Sequence, residues 1–178
     1  MRSVIALEMA APPELVFRLA GDVRRWPDLL PHYVSVQPVS EVGRDGVLVA
    51  RMVARRPISS LLGLDLPVTW QARVWSEPDA LRLRFRHVAG ATRGMDVTWR
   101  IEPTDRGCHV SIEHRFEPRL ALFAIIVDRW FTRPIASRTL AAFKALAEAL
   151  AESTASPSEH VARPRPESNP PAVANPPT

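Results

Sequence analysis

The chain has 178 residues, of which 46% are hydrophobic and 24% are charged, and this composition is typical of one soluble globular domain. Its formal net charge is +4, but nearly all of the basic residues are arginines that are mostly scattered along the chain, and Lys144 is the only lysine. A nucleic-acid interface requires a basic patch or stripe, so we expect no nucleic-acid partner.

The single cysteine and the lack of a long apolar run indicate where in the cell the protein is expected. Cys108 cannot form an internal disulfide, so stability must come from packing, and a reducing cytoplasm is the expected setting. The N-terminus lacks the apolar core of a signal peptide. The longest apolar run, 120–127, falls far short of the roughly 20 residues of a membrane helix. We expect no integral membrane segment, which leaves transient contact with a membrane surface and the oligomeric state open.

The composition changes sharply after Glu152. Residues 153–178 are rich in proline, serine and asparagine and have almost no large apolar side chain, so they cannot bury enough surface to offset the entropy of ordering. We therefore predict a folded domain over 1–152 and a disordered, proline-rich tail over 153–178.

Predicted elements follow one another through short turns. A strand at 3–9 leads to a short helix opened by Pro12, Pro13 and Glu14, and a second short helix over 22–30 contains Trp26. The period of apolar residues then changes to two, which is typical of strands. These strands are predicted at 33–42, 47–56, 66–76, 80–88, 93–102 and 108–117, with an apolar-tipped loop at 57–65.

The last predicted element is a long helix over 119–151, in which Phe143, Leu146 and Leu150 recur at helical spacing. Pro134 lies inside this pattern and should kink or split the helix.

This order of elements predicts an α+β fold, an antiparallel sheet with its helices on one face. Leu81, Leu83 and Phe85 alternate with arginines, so the sheet has one dry face and one wet face. Only the long helix is large enough to cover the dry face, and it cannot fill all the space under a wide sheet. An apolar cavity for a small molecule is expected between them.

Five stretches, 11–17, 22–32, 94–101, 110–114 and 134–148, resemble the polyketide cyclase/dehydrase and lipid-transport family. That family lies within the START-like, helix-grip superfamily, which includes coenzyme Q-binding proteins. The resemblance covers about residues 2–152. It implies a curved antiparallel sheet wrapped around a long C-terminal helix, with two short helices after the first strand. It also implies a hydrophobic ligand, such as a lipid, a quinone or a polyketide-like molecule.

Two histidines share the parity of the dry face, His87 with Leu83 and Phe85, and His114 with Ile112. One interpretation is an acid–base pair for enol chemistry, because imidazole titrates near neutral pH. The other is a pair of histidines hydrogen-bonded within the core. These two are the predicted catalytic residues if the protein is an enzyme.

Aromatic and apolar residues of the same parity are predicted to line the cavity and to stack on a flat ligand or pack in the core. They are Trp70, Phe85, Met95 and Trp99, with Trp130 at the core or the rim.

Two arginines are predicted ligand-binding residues. In aromatase/cyclase members of the superfamily an inward arginine binds the polyketone, and Arg73 in Trp70-Gln71-Ala72-Arg73 resembles that pattern, although its parity opposes Trp70. Arg51 alternates with valines, and if it faces inward it is the better partner for a ligand carboxylate.

The motifs of metal, nucleotide and nucleophile sites are missing: the sequence has no HExxH, GxGxxG, Walker loop or GxSxG. We expect no metal and no cofactor. Three functions remain open: a carrier that binds or sequesters a hydrophobic molecule, a polyketide cyclase or dehydratase, and a protein-interaction module that uses the basic surface or the tail. The loop at 58–63 is a candidate lid.

Overall fold

The computed structural model of the chain describes residues 1–40, 42–43, 46–59, 64–118 and 121–155. Seven antiparallel strands form one curved sheet in the order β1-β7-β6-β5-β4-β3-β2. The strands are β1 (Arg2–Met9), β2 (Tyr33–Pro38), β3 (Leu48–Ser59), β4 (Leu64–Glu77), β5 (Arg82–Gly90), β6 (Asp96–Thr104) and β7 (Gly107–Arg115).

Strands β2 to β7 follow one another as neighbours, as short turns require, and β1 pairs with β7 at the far edge. The predicted α+β, helix-grip fold is confirmed.

Two short helical elements follow β1, as predicted. Helix α1 (Pro13–Gly21) begins with a proline, whose missing N–H is not needed in a first turn. The second element is a 3₁₀ turn (Val23–Arg25) that runs directly into α2 (Trp26–Leu29). This arrangement directs the Trp26 ring into the core, where it is 2% exposed.

The C-terminal helix is interrupted, but the interruption lies before Pro134. Helix α3 (Ala121–Val127) passes into a π-helical turn (Asp128–Thr132), and α4 (Arg133–Ala155) follows. The wide turn ends with a bond from the Arg133 N–H to the Asp128 carbonyl. Pro134 directly follows this turn, and because it has no N–H to continue the helical hydrogen bonding, the interruption agrees with the kink predicted there.

Helix α4 covers the concave face of the sheet. Its residues Ala136, Leu140, Phe143 and Ala147 are buried at intervals of three or four, as one helix face requires. The Phe143 ring lies 5.8 Å from the Trp99 ring, centroid to centroid. Near the end of the helix, Glu148 accepts a hydrogen bond from the Ala10 N–H at 2.7 Å and so fixes the helix against the end of β1.

Several predicted boundaries shift. Strand β2 ends at Pro38 rather than at residue 42, and the predicted loop at 57–65 is shorter because β3 runs to Ser59 and β4 begins at Leu64. Four of the six residues of the candidate lid, 60–63, lie outside the described residues. Helix α4 extends to Ala155, into the predicted tail, and the tail from 156 onward also lies outside them.

Candidate functional site

A cavity of about 90 Å³ lies between the concave face of the sheet and the C-terminal helix. Strands β2 to β7, α2, the π turn and α4 all contribute to its wall. The lining residues are Trp26, Tyr33, Met52, Val68, Trp70, Phe85, His87, Thr92, Met95, Val97, Trp99, Ile112, His114, Phe131, Thr132, Ile135, Ala136 and Thr139.

The deep wall is aromatic. The Trp26 ring lies 5.0 Å from the Tyr33 ring in an edge-to-face arrangement, and 5.8 Å from the rings of both Phe85 and Trp99. The Trp26 indole N–H donates to the Ala20 carbonyl at 3.0 Å, so its polar group is satisfied by protein. This part of the wall therefore offers apolar ring faces and edges.

His87 lies against Trp70, with the ring centroids 5.9 Å apart and the planes at 17°. Its Nδ1 is 2.6 Å from the Thr92 hydroxyl. Burial, and secondarily the nearby His114, lowers the pKa of His87 to about 3. The ring is therefore neutral at physiological pH.

His114 is 6% exposed, and its Nδ1 is buried without a hydrogen-bond partner among the described residues. Burial lowers its pKa to about 4, while the nearby Asp128 carboxylate acts in the opposite direction. The neutral ring thus keeps hydrogen-bonding capacity that the described residues do not use, and the His114 side chain lines the cavity.

Thr139 is the centre of a second set of hydrogen-bonded polar side chains in the wall. Its hydroxyl donates to the Ile135 carbonyl at 2.8 Å and lies 2.9 Å from Nε2 of His32. Because the one hydroxyl proton of Thr139 is used, His32 donates from Nε2. Burial lowers the pKa of His32 to about 4 and raises the pKa of the neighbouring Tyr33 phenol, so both are neutral at physiological pH.

The structure brings most of the predicted site residues together. His87, His114, Trp70, Phe85, Met95 and Trp99 all line the cavity. Arg51 and Arg73 do not line it, because both are exposed on the outer face of the sheet. Trp130 is 51% exposed and lies outside the lining, although its neighbour Phe131 is part of it.

The parity of β3 explains the placement of Arg51. The side chains of this strand that face inward belong to Ala50, Met52 and Ala54, which are fully buried, whereas the larger valines lie on the other face with Arg51. Valines normally indicate the buried face of a strand, whereas alanines are only a weak signal of burial. The sequence pattern therefore favoured the wrong face of β3. Met52 was missed for the same reason.

Other lining residues lacked a sequence signal. The C-terminal helix contributes Phe131 and Thr132 from the π turn and Ile135 and Thr139 from α4. The π turn changes the helical register between these two pairs, so one regular helical period does not describe all four. Tyr33 is the first residue of β2, where strand parity is a weak guide, whereas Val68 has the same inward parity as Trp70 on β4.

Among the described residues, no group of three or more His, Cys, Asp or Glu side chains is arranged to hold a metal ion. No helix in this part of the chain is both long and apolar enough to cross a membrane.

Comparisons with solved structures show the same fold. The Zhui aromatase/cyclase from Streptomyces sp. R1128 aligns with a TM-score of 0.68 at 21% identity, covering 83% of this chain and 93% of that one. A START superfamily protein from Mycobacterium smegmatis aligns at 0.64 and 14% identity, covering 84% and 98%. A protein from Thermus thermophilus aligns at 0.62 and 20% identity, covering 88% and 100%.

A search of curated protein sequences finds no match. The family model described as polyketide cyclase / dehydrase and lipid transport matches residues 3–154. This match covers the sheet and nearly all of the C-terminal helix. The chain therefore belongs to the polyketide cyclase/dehydrase and lipid transport family.

Proposed function

We propose that the protein binds a hydrophobic small molecule in the cavity between the sheet and the C-terminal helix, and that it carries or sequesters this molecule. The observation that supports this most directly is the wall itself. It combines aromatic residues of the sheet and α2 with neutral polar groups, and ligand sites commonly have this composition.

Without ligand, the cavity is too small for the proposed ligands. Its volume of about 90 Å³ is below the roughly 300–1,000 Å³ of typical sites for drug-sized ligands. A lipid, quinone or polyketide-like ligand therefore requires the wall to move. Phe131 and Thr132 are on the π turn, an irregular segment of the kind often found at functional sites, so we infer that this segment yields when ligand enters.

The first test identifies a ligand and then tests its position. Native mass spectrometry of the full chain purified from its own host is expected to show a bound apolar mass. As a defined probe, methyl 2-naphthoate should bind the wild type, and Trp70→Leu should weaken its binding about tenfold, since a stacking face is lost.

Trp75→Leu is the matched control. Trp75 is on the same strand as Trp70 but is partly exposed on the outer face, where the Arg84 guanidinium lies 5.9 Å from its ring centroid. Equal losses in the two variants, or no binding by the wild type, would contradict the proposal.

A second candidate function is a polyketide cyclase or dehydratase, favoured by one observation: two neutral histidines line one cavity, and Nδ1 of His114 has no partner among the described residues. In this reaction one neutral imidazole would take the α-proton of a polyketone, and the resulting carbanion would attack a second carbonyl carbon to form the C–C bond. The proton would return, directly or through the other imidazole, to the new alkoxide oxygen, which gives the hydroxyl that is later lost as water together with a second α-proton.

Turnover of a polyketone substrate decides between the two functions. If chemistry occurs, His87→Gln and His114→Gln should each lower kcat by about 10²–10⁴-fold, the usual contribution of a general acid or base. His109→Gln is the control, since His109 is on the outer face of β7 and bonds to Glu8 at 2.6 Å. Turnover that survives both cavity substitutions would leave only the binding function.

A further inference from the structure

The inward face of β3 ends in an arginine. Ala50, Met52 and Ala54 face the core in alternation, and the same parity directs Arg56 inward. Ala54 pairs with Val68, which lines the cavity, so Arg56 is one inward position, roughly 7 Å, beyond the cavity wall. Arg56, rather than Arg51, is therefore the inward arginine of β3.

Two aromatic rings of the π turn hold the Arg56 side chain. Its Cζ atom lies 4.8 Å from the Trp130 ring centroid and 5.9 Å from the Phe131 centroid. Phe131 lines the cavity, whereas Trp130 is 51% exposed. The guanidinium is thus placed where the cavity meets solvent, and because the rings pack on its face, a ligand carboxylate would make a bidentate contact with its N–H edge.

The hydrogen bonding of Arg56 is incomplete. Its Nε is buried and has no hydrogen-bond partner in the described part of the chain. The acid on the adjacent π turn, Asp128, uses Oδ2 to accept from Arg133 at 2.9 Å, and its Oδ1 is itself unpartnered among the described residues. An unmatched donor on a positively charged group is costly to bury, and a carboxylate from a ligand would satisfy it.

We propose that the ligand is an amphipathic carboxylic acid, whose apolar body lies in the cavity and whose carboxylate is bound by Arg56 at the mouth. This inference rests on the proposed binding function and specifies its ligand class. The aromatic wall accepts the body, and the cation at the rim fixes its direction of entry. Buried charge-assisted bonds of this kind strongly favour an ionised over an uncharged head group.

The experiment compares 2-naphthoate with its uncharged methyl ester by fluorescence titration of the full chain. The wild type should bind the acid at least about tenfold more tightly than the ester. Arg56→Gln should remove this preference while changing the affinity for the ester less than about threefold. Arg55→Gln is the matched control, because it removes the same charge from the adjacent, exposed position and should retain the preference.

Each other outcome has a defined meaning. Equal binding of acid and ester by the wild type, or equal losses in the Arg55 and Arg56 variants, overturns the carboxylate site and leaves cavity binding intact. Binding of neither compound overturns both proposals. If Arg56→Gln does not fold, as judged by circular dichroism, Arg56→Lys replaces it. That variant keeps the charge without the planar fork, so it should lower the preference only in part, and an unchanged preference would refute the bidentate site.

Discussion

Trp70 and His87 stack across the β4–β5 pair, and Gly90 at the end of β5 lies directly against the backbone of Trp70. Gly90 is the register partner of Trp70 and has φ of +92°. A Cβ atom built there would lie 2.8 Å from the Thr69 carbonyl oxygen and 3.1 Å from the Trp70 Cα. The strand end can therefore approach Trp70 this closely only because residue 90 has no side chain.

Gly90→Ala should consequently destabilise the protein and displace Trp70. We expect a loss of about 2–4 kcal/mol in the free energy of unfolding, from the positive φ together with the backbone contact. Gly94→Ala is the control, because it has a similar φ of +91° but nothing within 4 Å of the added Cβ. Urea titrations of both variants separate the two contributions, and similar losses would show that the contact with Trp70 is unimportant.

The buried histidines predict instability in mild acid. His32, His87 and His114 have pKa values lowered by burial to about 4, 3 and 4, whereas the unfolded chain takes up these protons near pH 6.5. The unfolded state therefore binds more protons below pH 6.5. The contribution of these histidines should be constant above that pH, and stability should fall by up to about 1.4 kcal/mol per pH unit for each histidine as the pH drops toward 4.

Urea midpoints between pH 7.5 and pH 5 measure this slope before carboxylates contribute. The double variant His87→Gln, His114→Gln should show a shallower slope, because it removes two of the three histidines that are buried in the neutral form. A slope that the double variant does not change would mean that these two histidines are not buried as neutral groups.

How much of this site could be predicted depends on which element carries each residue. Strand parity was sufficient for Trp70, Phe85 and His114, because a period of two fixes the face once one core residue is known. It failed in β3, where Ala50 and Ala54 are the buried residues and the valines are not. The fold followed from the order of elements and the family resemblance. The positions of Phe131 and Thr139 did not, since the π turn changes the helical register between them.

A buried carboxylate on the outer face should also contribute to stability. Glu113 is 3% exposed and accepts hydrogen bonds from Arg100 at 2.8 Å and from Arg2 and Arg115 at 2.7 Å. The bond from Arg100, followed by that from Arg115, lowers its pKa to about 2. This stabilisation is present above pH 4.5 and is lost as the pH falls toward 2.

Glu113→Gln is therefore expected to cost about 1–2 kcal/mol at pH 7, a modest value because the arginines are largely exposed and screened by solvent. The difference from wild type should shrink in 1 M salt, at which the Debye length is about 3 Å. Glu102→Gln, on the exposed end of β6, serves as the control. A salt-independent difference would indicate lost packing rather than lost ion pairs.

The hydroxyl of Thr139 should contribute more to the free energy of unfolding than the hydroxyl of Thr132, which also lines the cavity. The Thr139 hydroxyl accepts from His32 and donates to the Ile135 carbonyl, whereas none of the described hydrogen bonds involves the Thr132 hydroxyl. Thr139→Val keeps the shape but leaves the Nε2 donor of His32 buried without a partner, at a cost of about 1–3 kcal/mol. Thr132→Val should lie within about 0.5 kcal/mol of wild type. Thermal unfolding of the two variants checks this difference. Equal destabilisation would mean that the apolar wall tolerates neither exchange, and that the His32–Thr139 bond is not what holds α4 against the start of β2.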